Sequence, residues 1–573
     1  MTRSAETLFA EILEKRGVTE AKQAEYLSPS PKLTYDPLLL PDMAEGVDFV
    51  LTQIEKNRRI CIYGDYDVDG VMGSVILKTF FDSLGADTGI YIPARVEEGY
   101  GLNYSALDQI SGEGYGAVVT VDCGSVSVSE VSHAKSIGLE IMITDHHDLP
   151  DVIKPDCIVI NPKISGSKYP FRELCGAAVA FKLCQALSNA VAAKEFVLGR
   201  PPRQATPATP PQEGNSALKG VLNSLLDLVA VATVADVMPL VDENRTMVKW
   251  GLRNINAGRR RSLVKLAHAA GLHLGEITAR GIAFGISPRI NSVGRLSAAS
   301  KATELFLTDD DAKVDEIIEE MQRLNDERKS IQNACEEECL TLAEAYRGSP
   351  SFLLLKPSVY HEGISGIVAG RIKEKTGLPT AVLAPSEPID GAPTLKGSAR
   401  SVGNLNIIEL FRRHEELFAR LGGHKMAAGF TILRPNEDEL RASLNEDLQN
   451  LIKETPNLLS TEVEADISAI PEEITLELAK LIEKMEPFGS GNPKPLVEID
   501  CTAARITDVK TMGKENNHLR FNVSPLLGSA NVPCVYFNNT ELPKSPKSIV
   551  ATPNVNAWNG RESVQLMVDT IIT

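Results

Sequence analysis

Asp65, Asp67 and Asp69 occupy alternate positions in "GDYDVDG", directly after the apolar run "RRICIY". Carboxylates this close together beside a buried strand repel one another and need a partner. Similar settings recur along the chain. Asp122 follows "AVVTV", Asp145 with His146 and His147 follows "LEIMIT", and Asp236 ends the apolar helix "LLDLVAVATVA". Strand ends are where an α/β sheet places its chemistry. On an extended chain Asp67 and Asp69 share a face, and Asp65 joins them if the strand has not yet turned. A divalent cation would make such a cluster favourable. Carboxylates with imidazoles suit Mn²⁺, Mg²⁺ or Zn²⁺, and Cys123, next to Asp122, points to the opposite face. Each motif alone describes many solvated turns or surface pairs. Together, near the ends of one sheet, they predict a metal site. Gly70 and Gly73 open a helix whose N-terminus could also hold a phosphate, a reading that complements the metal site.

These side chains need a scaffold. "RRICIYGD", "ADTGIYIPA", "GAVVTVDCG", "LEIMITDHH" and "DCIVINPK" read as buried strands, with helical stretches between several of them. That rhythm predicts a doubly wound parallel sheet. A helical zone follows from about 171 to 300, interrupted at 199–216 by "GRPPRQATPATPPQEGNS", whose composition predicts a flexible surface insertion. Residues 308–346 read as one long charged helix, with two shorter helices as the alternative. A second α/β unit begins near 351, and short alternating segments from about 461 predict a small antiparallel barrel.

The 573 residues imply several domains. A net charge of −17 argues against a generally basic DNA-coating protein but allows a local cationic groove. The nine scattered cysteines, Cys335 and Cys339 included, read as reduced cytosolic thiols. No signal-peptide core and no apolar run of bilayer length is evident, so a cytoplasmic location without a membrane is expected.

The motifs resemble those of the DHH phosphoesterase superfamily: "GDYDVDG", "VDCG", "DHH" and "VADVMPL". "GGHKMAAGF" resembles the glycine-rich signature of the DHH-associated domain. "HEGISGIVAGRIKEKTGLPTAVLA", "FGISPRINSVGRLS", "LKGSARS", "MEPFGSGNPKP" and "NAWNGRESVQLMV" resemble segments of RecJ-type exonucleases. The likeness runs from about Asp36 to the C-terminus. It implies an α/β fold with a parallel-sheet DHH catalytic domain (46–305), a long connecting helix (306–347), a DHH-associated domain (348–455) and an OB-like barrel (456–573), after an N-terminal arm (1–45). It also implies a single-strand-specific 5′→3′ DNA exonuclease that releases 5′-mononucleotides by two-metal hydrolysis, with Mn²⁺ favoured and Mg²⁺ as substitute.

By this resemblance Asp67, Asp69, Asp122, His146 and Asp236 are metal ligands, with Asp122 bridging. Asp65 is added because Tyr63 stands where some relatives carry a metal-binding histidine. Asp145 would orient the histidine pair, and His147 would touch the scissile phosphate. Arg95, Arg289, Ser398 and Arg400 would hold the 5′-phosphate, with Asn291 and Arg295 as weaker candidates and His424 near the DNA backbone. Single-strand specificity would come from a cleft between the two α/β domains too narrow for a duplex. Phe488, Tyr536, Phe537 and Trp558 could stack on bases, although most read as barrel core. Expected partners are single-stranded DNA with a 5′ end, a single-strand binding protein and a helicase, for a monomeric enzyme of recombination and repair. The alternatives are a DHH phosphodiesterase of short oligonucleotides or cyclic dinucleotides, and a catalytically silent DNA-binding scaffold.

Overall fold

The computed structural model describes residues 2–30, 33–94, 101–149, 154–193, 212–296, 299–346, 351–460, 463–502, 504–513, 515–526 and 530–573. The chain forms two compact units, residues 1–320 with 463–573, and residues 321–462.

In the first unit, β1 (Ile60–Gly64), β2 (Thr88–Tyr91), β3 (Ala117–Val121), β4 (Glu140–Thr144) and β5 (Ile158–Ile160) form a sheet of order β2-β1-β3-β4-β5, parallel throughout. β1 and β3 are buried at every residue, which is why they read as unbroken apolar runs rather than as alternating ones. Helices Val68–Ser83, Gly176–Ala193, Gln212–Ala235 and Asp242–Asn256 follow. Residues 212–216 therefore belong to a helix and not to the flexible insertion; the rest of that insertion, 199–211, lies outside the described residues.

Gly176–Ala193 and Ala217–Ala235 are long and apolar enough to cross a membrane by length and composition, contrary to the expectation that no such run exists. Both are mostly buried inside the protein. The first carries Lys182, whose Nζ lies 2.7 Å from Glu243 Oε2 with both side chains fully buried. Their apolar character is that of core helices.

A single helix, Asp311–Ala343, crosses from the first unit into the second. The second unit is built on β6 (Leu353–Leu355), β7 (Thr380–Ile389), β8 (Ala392–Arg400), β9 (Phe418–His424) and β10 (Ala427–Leu433), in the order β6-β7-β8-β10-β9. Only the β6–β7 pair is parallel.

The C-terminal part of the first unit carries β11 (Ile467–Ser468), β12 (Val497–Asp500), β13 (Ala504–Met512), β14 (His518–Pro525), β15 (Val532–Tyr536), β16 (Ser548–Trp558) and β17 (Arg561–Ile572). Their order is β11-β12-β16-β17-β15-β14-β13. The expected all-antiparallel pattern is corrected at two pairs, β11–β12 and β15–β17, which are parallel. Alternation of apolar residues reports which face is buried and carries no information about strand direction. Leu8 and Ile12 of the N-terminal helix Ala5–Lys15 enter the core of this region.

Candidate metal centre

Strand register puts the acids side by side. Gly64 pairs with Val121, Val121 with Thr144 and Thr144 with Ile160. The next residue on each strand therefore emerges at one edge: Asp65, Asp122, Asp145 and Asn161. This is the carboxyl edge of a parallel sheet, where ligands bind.

The chain turns immediately after β1, so Asp67 and Asp69 do not share the face of an extended strand. Asp67 caps the helix Val68–Ser83, its Oδ1 accepting from the N–H groups of Asp69 (2.8 Å) and Gly70 (3.1 Å). A Cβ at Gly70 would fall 2.5 Å from the Asp65 backbone, so glycine permits this tight return. Asp69 lies in the first helical turn and faces a second helix start. Its carboxylate accepts from Gly176 N (2.6 Å) and Ala177 N (2.8 Å), where the helix dipole favours negative charge. A Cβ at Gly176 would lie 2.6 Å from Asp122 Cβ. Asp122 itself has φ 63°, a strained conformation of the kind concentrated at functional sites.

His146 lies at the centre. Its Nε2 is 3.0 Å from Asp122 Oδ1 and 3.7 Å from both Asp69 Oδ2 and Asp236 Oδ2. Three donor sets each hold their atoms within 4.8 Å of one another: Asp122 with His146 and His147, Asp69 with His146 and Asp236, and Asp65 with Asp67 and Asp122. Asp145 is buried behind them. Its Oδ1 accepts from His146 N (2.7 Å) and His147 N (3.2 Å) and lies 2.8 Å from His147 Nδ1, while Oδ2 accepts from Ser125 N (2.9 Å).

The crowding alters protonation. Burial, then the charges of Asp69, Asp67, Asp65 and Asp236, push the Asp122 carboxyl well above the usual range. Burial and the Asp69 and Asp67 charges push Asp236 up to about 8. Burial also raises Asp67, helped by Asp69. Burial opposes the imidazolium of His147, but its hydrogen bond to Asp145 and the surrounding carboxylates prevail and raise it to about 9. At Asp145, burial favours the neutral acid, yet the hydrogen bond and charge of His147 hold the carboxyl below its ordinary value.

The residues fit a divalent cation. Asp236 Oδ2 and His146 Nδ1 are buried without a hydrogen-bond partner among the described residues. The donors are carboxylate oxygens and imidazole nitrogens, a set suited to hard divalent ions. Cys123 instead joins the hydrophobic core. Tyr63 is buried in β1, donating from its hydroxyl to Gly101 O at 2.9 Å.

A cavity of about 350 Å³ opens on this cluster, lined by Asp65, Asp67, Asp122, His147 and Asp236 together with Asn291 and Arg295. Asn291 Oδ1 accepts from Val68 N at 3.2 Å. Arg289 is buried in the same helix, where Nη1 donates to Gly285 O (2.7 Å) and Nη2 to Ala269 O (3.1 Å). Arg95 lies outside the described residues. In the second unit Ser398 and Arg400 are neighbours on β8, with Arg400 Nη1 donating to Ser398 Oγ at 3.2 Å. A Cβ on Gly366 would lie 2.7 Å from Arg400 Nη2 and 2.8 Å from Ser398 Oγ, so that glycine lets the helix Ser365–Thr376 approach them. His424 is exposed at the end of β9. Sequence reasoning missed Ser125, Gly176 and Ala177, which act through main-chain N–H groups. It also missed Asn161, which donates to His147 O and Ser125 Oγ, each at 2.9 Å. Its position directly after the fifth apolar run was a usable signal.

Three family models match the chain: the DHH family N-terminal domain over 59–209, the DHHA1 domain over 349–453 and the RecJ OB domain over 465–570. The single-stranded-DNA-specific exonuclease RecJ of Escherichia coli is 31% identical over 98% of this chain and 95% of that protein. The chain belongs to the RecJ family. RecJ of Bacillus subtilis is 34% identical over 98% of this chain and 67% of its own length. The crystal structure of Thermus thermophilus RecJ in complex with Mn²⁺ superposes with a TM-score of 0.76 at 27% identity, covering 99% of this chain and 76% of that one. RecJ membership gives the acidic cluster its context: it stands at the carboxyl edge of the sheet in the DHH domain.

Proposed function

We propose that this RecJ-family chain degrades single-stranded DNA from its 5′ end, hydrolysing phosphodiester bonds with Mn²⁺, or Mg²⁺ in its place, and releasing 5′-mononucleotides. The observation that carries this reading is the gathering of Asp67, Asp69, Asp122, His146 and Asp236 into one cluster, beside a cavity that Asp67, Asp122 and Asp236 line, in a chain of RecJ kinship. Asp65 is the sixth proposed ligand, and Asp122, which belongs to two of the donor sets, is the proposed bridge.

Paired divalent cations supply Lewis-acid stabilisation of charge on the phosphoryl and leaving oxygens. The chain's own residues do the rest. Asp67 and Asp69 are fixed by helix N-termini, so their carboxylates need no reorganisation before reaction. Asp145 holds the His147 ring, and His147 donates to a non-bridging oxygen of the scissile phosphate. Arg295 and Asn291, at the rim of the cavity, contact the strand entering it. Arg95, Arg289, Ser398 and Arg400 for the 5′-phosphate and His424 for the backbone remain assignments by resemblance. The same reading makes the protein a cytoplasmic monomer working with a single-strand binding protein and a helicase.

The phosphodiesterase alternative is disfavoured by the RecJ OB match and by kinship along the whole chain. The scaffold alternative is disfavoured by the complete set of metal acids. The test is hydrolysis of a 5′-phosphorylated single strand with Mn²⁺, alongside a duplex, a dinucleotide and the Asp122→Ala variant. The expected result is stepwise shortening of the single strand from its 5′ end, lost in the variant. Preferential cutting of the dinucleotide would install the phosphodiesterase, and DNA binding without cleavage by either protein would install the scaffold.

A further inference from the structure

Residues 279–296 form one continuous helical run, interrupted by a π turn at Ile282–Ile286 before Ser287–Leu296. π turns are rare and frequently mark functional sites. Here Arg289 braces the turn, donating to the carbonyl of Gly285 within it. It also donates to Ala269 O, outside the run.

One face of the run is open. Arg280 and Phe284 are exposed, and Pro288, Asn291 and Arg295 are partly so, whereas Ile282, Ile286, Ile290 and Val293 are buried. The open residues follow one another at helical spacing, so they line a single stripe. The lower end of the stripe is already placed: Asn291 and Arg295 line the acidic cavity. At the upper end Phe284 is 66% exposed, and the Arg280 guanidinium sits over its ring, 5.0 Å from the centroid. From Arg295 to Phe284 the axis runs roughly 16 Å at the α-helical rise per residue.

A large aromatic left this bare within a π turn, backed by a cation and continuous with the catalytic cavity, matches the two elements that hold single strands: an aromatic platform for a base and cations for phosphates. A protein partner would leave the stripe's continuity with the cavity unexplained. We propose that this face is a ramp for the substrate strand, on which Phe284 stacks against a nucleobase several nucleotides from the scissile bond and Arg280 meets a neighbouring phosphate. This rests on the nuclease reading and adds a substrate subsite on the catalytic domain, outside the OB domain.

The test compares wild type, Phe284→Ala and Phe284→Trp on a long 5′-phosphorylated single strand and on a dinucleotide, which is too short to reach Phe284. Wild type should prefer the long strand in KM. Phe284→Ala should erode that preference by about tenfold, the scale of one lost base stack, and Phe284→Trp should restore it. A set of strands, each with one abasic nucleotide, should show a KM penalty at one interior position in wild type and none there in Phe284→Ala. A preference unchanged in Phe284→Ala, or the same abasic profile in both proteins, would overturn the ramp. If wild type cuts neither substrate, the nuclease reading fails first.

Discussion

Asp145 accepts from three main-chain N–H groups and lies against the His147 ring, while belonging to none of the three donor sets found among the described residues. One carboxylate fixes two consecutive main-chain N–H groups and one imidazole. It thereby sets where His146 points and keeps His147 charged. Asp145→Asn keeps the shape and removes the charge, so the His147 imidazolium should lose its main support. Partners of this kind typically change metal affinity or activity by roughly 10–100-fold. The expected result is a loss of that size in Mn²⁺ affinity by calorimetry, together with a lower pKa for His147 by NMR titration. An unchanged His147 titration would contradict the assignment. The candidate ligands were legible in the sequence because each follows an apolar run, and runs that form adjacent parallel strands end together. Asp67 and Asp69 were legible as residues but not as geometry. The alternating spacing suggested a strand, and the helix begins one residue after Asp67 because its side chain caps that helix.

At the scale of elements, helices Gly176–Ala193 and Asp242–Asn256 are joined by the Lys182–Glu243 pair. Tyr169 donates to Glu243 Oε1 at 2.6 Å, and Lys182 Nζ donates to Tyr35 O at 3.0 Å. The pair thus ties the N-terminal arm to two helices, one of which starts under Asp69. Burial lowers the pKa of Lys182, and Glu243 opposes that shift. Removing one partner of a fully buried pair leaves an uncompensated charge. Lys182→Met should cost about 3–5 kcal/mol by denaturant unfolding, with much of the loss recovered when Glu243→Gln is added. If the single variant is as stable as wild type, the pair does not hold these helices. Nothing in the sequence marked Lys182 and Glu243 as partners. They lie far apart in the chain, and each reads as an ordinary exposed charge on a helix.

Across the whole molecule, stability should depend jointly on pH and metal. In the metal-free folded chain Asp236 keeps its proton up to about 8, whereas the unfolded chain releases it near the ordinary 3.8. His147, raised from 6.5 to about 9, acts in the same direction. Burial of His146 lowers its pKa and works the other way around and below 6.5. A raised carboxyl stabilises the folded state fully below its unfolded pKa and loses that effect as pH climbs through its folded pKa. Metal-free stability should therefore fall between about pH 4 and about pH 9. Cations replace the protons, so the rise in Tm on adding Mn²⁺ should be larger near pH 8.5 than near pH 5.5. Equal rises would show that the acids do not carry the binding. The first unit is also closed by contacts between distant segments. Arg16 Nε donates to Asp466 at 2.6 Å, and Leu240 N donates to Ser490 O at 2.7 Å. A Cβ on Gly491 would lie 2.8 Å from Pro239. The "PFGSGNP" segment of the C-terminal region thus packs on the stretch that follows Asp236.

The sequence alone determined the acids, the strands that end at them and the RecJ likeness, because apolar runs, caps and motif residues are local patterns. It did not determine the return of Asp67 into a helix, the Lys182–Glu243 pair, the strand senses of the C-terminal sheet or the bare ring of Phe284. Those depend on which distant surfaces meet: a main-chain N–H that finds a carboxylate, a buried ammonium that finds its acid, a helix face left uncovered. Such pairings are settled by packing, and packing is decided only when the whole chain has folded.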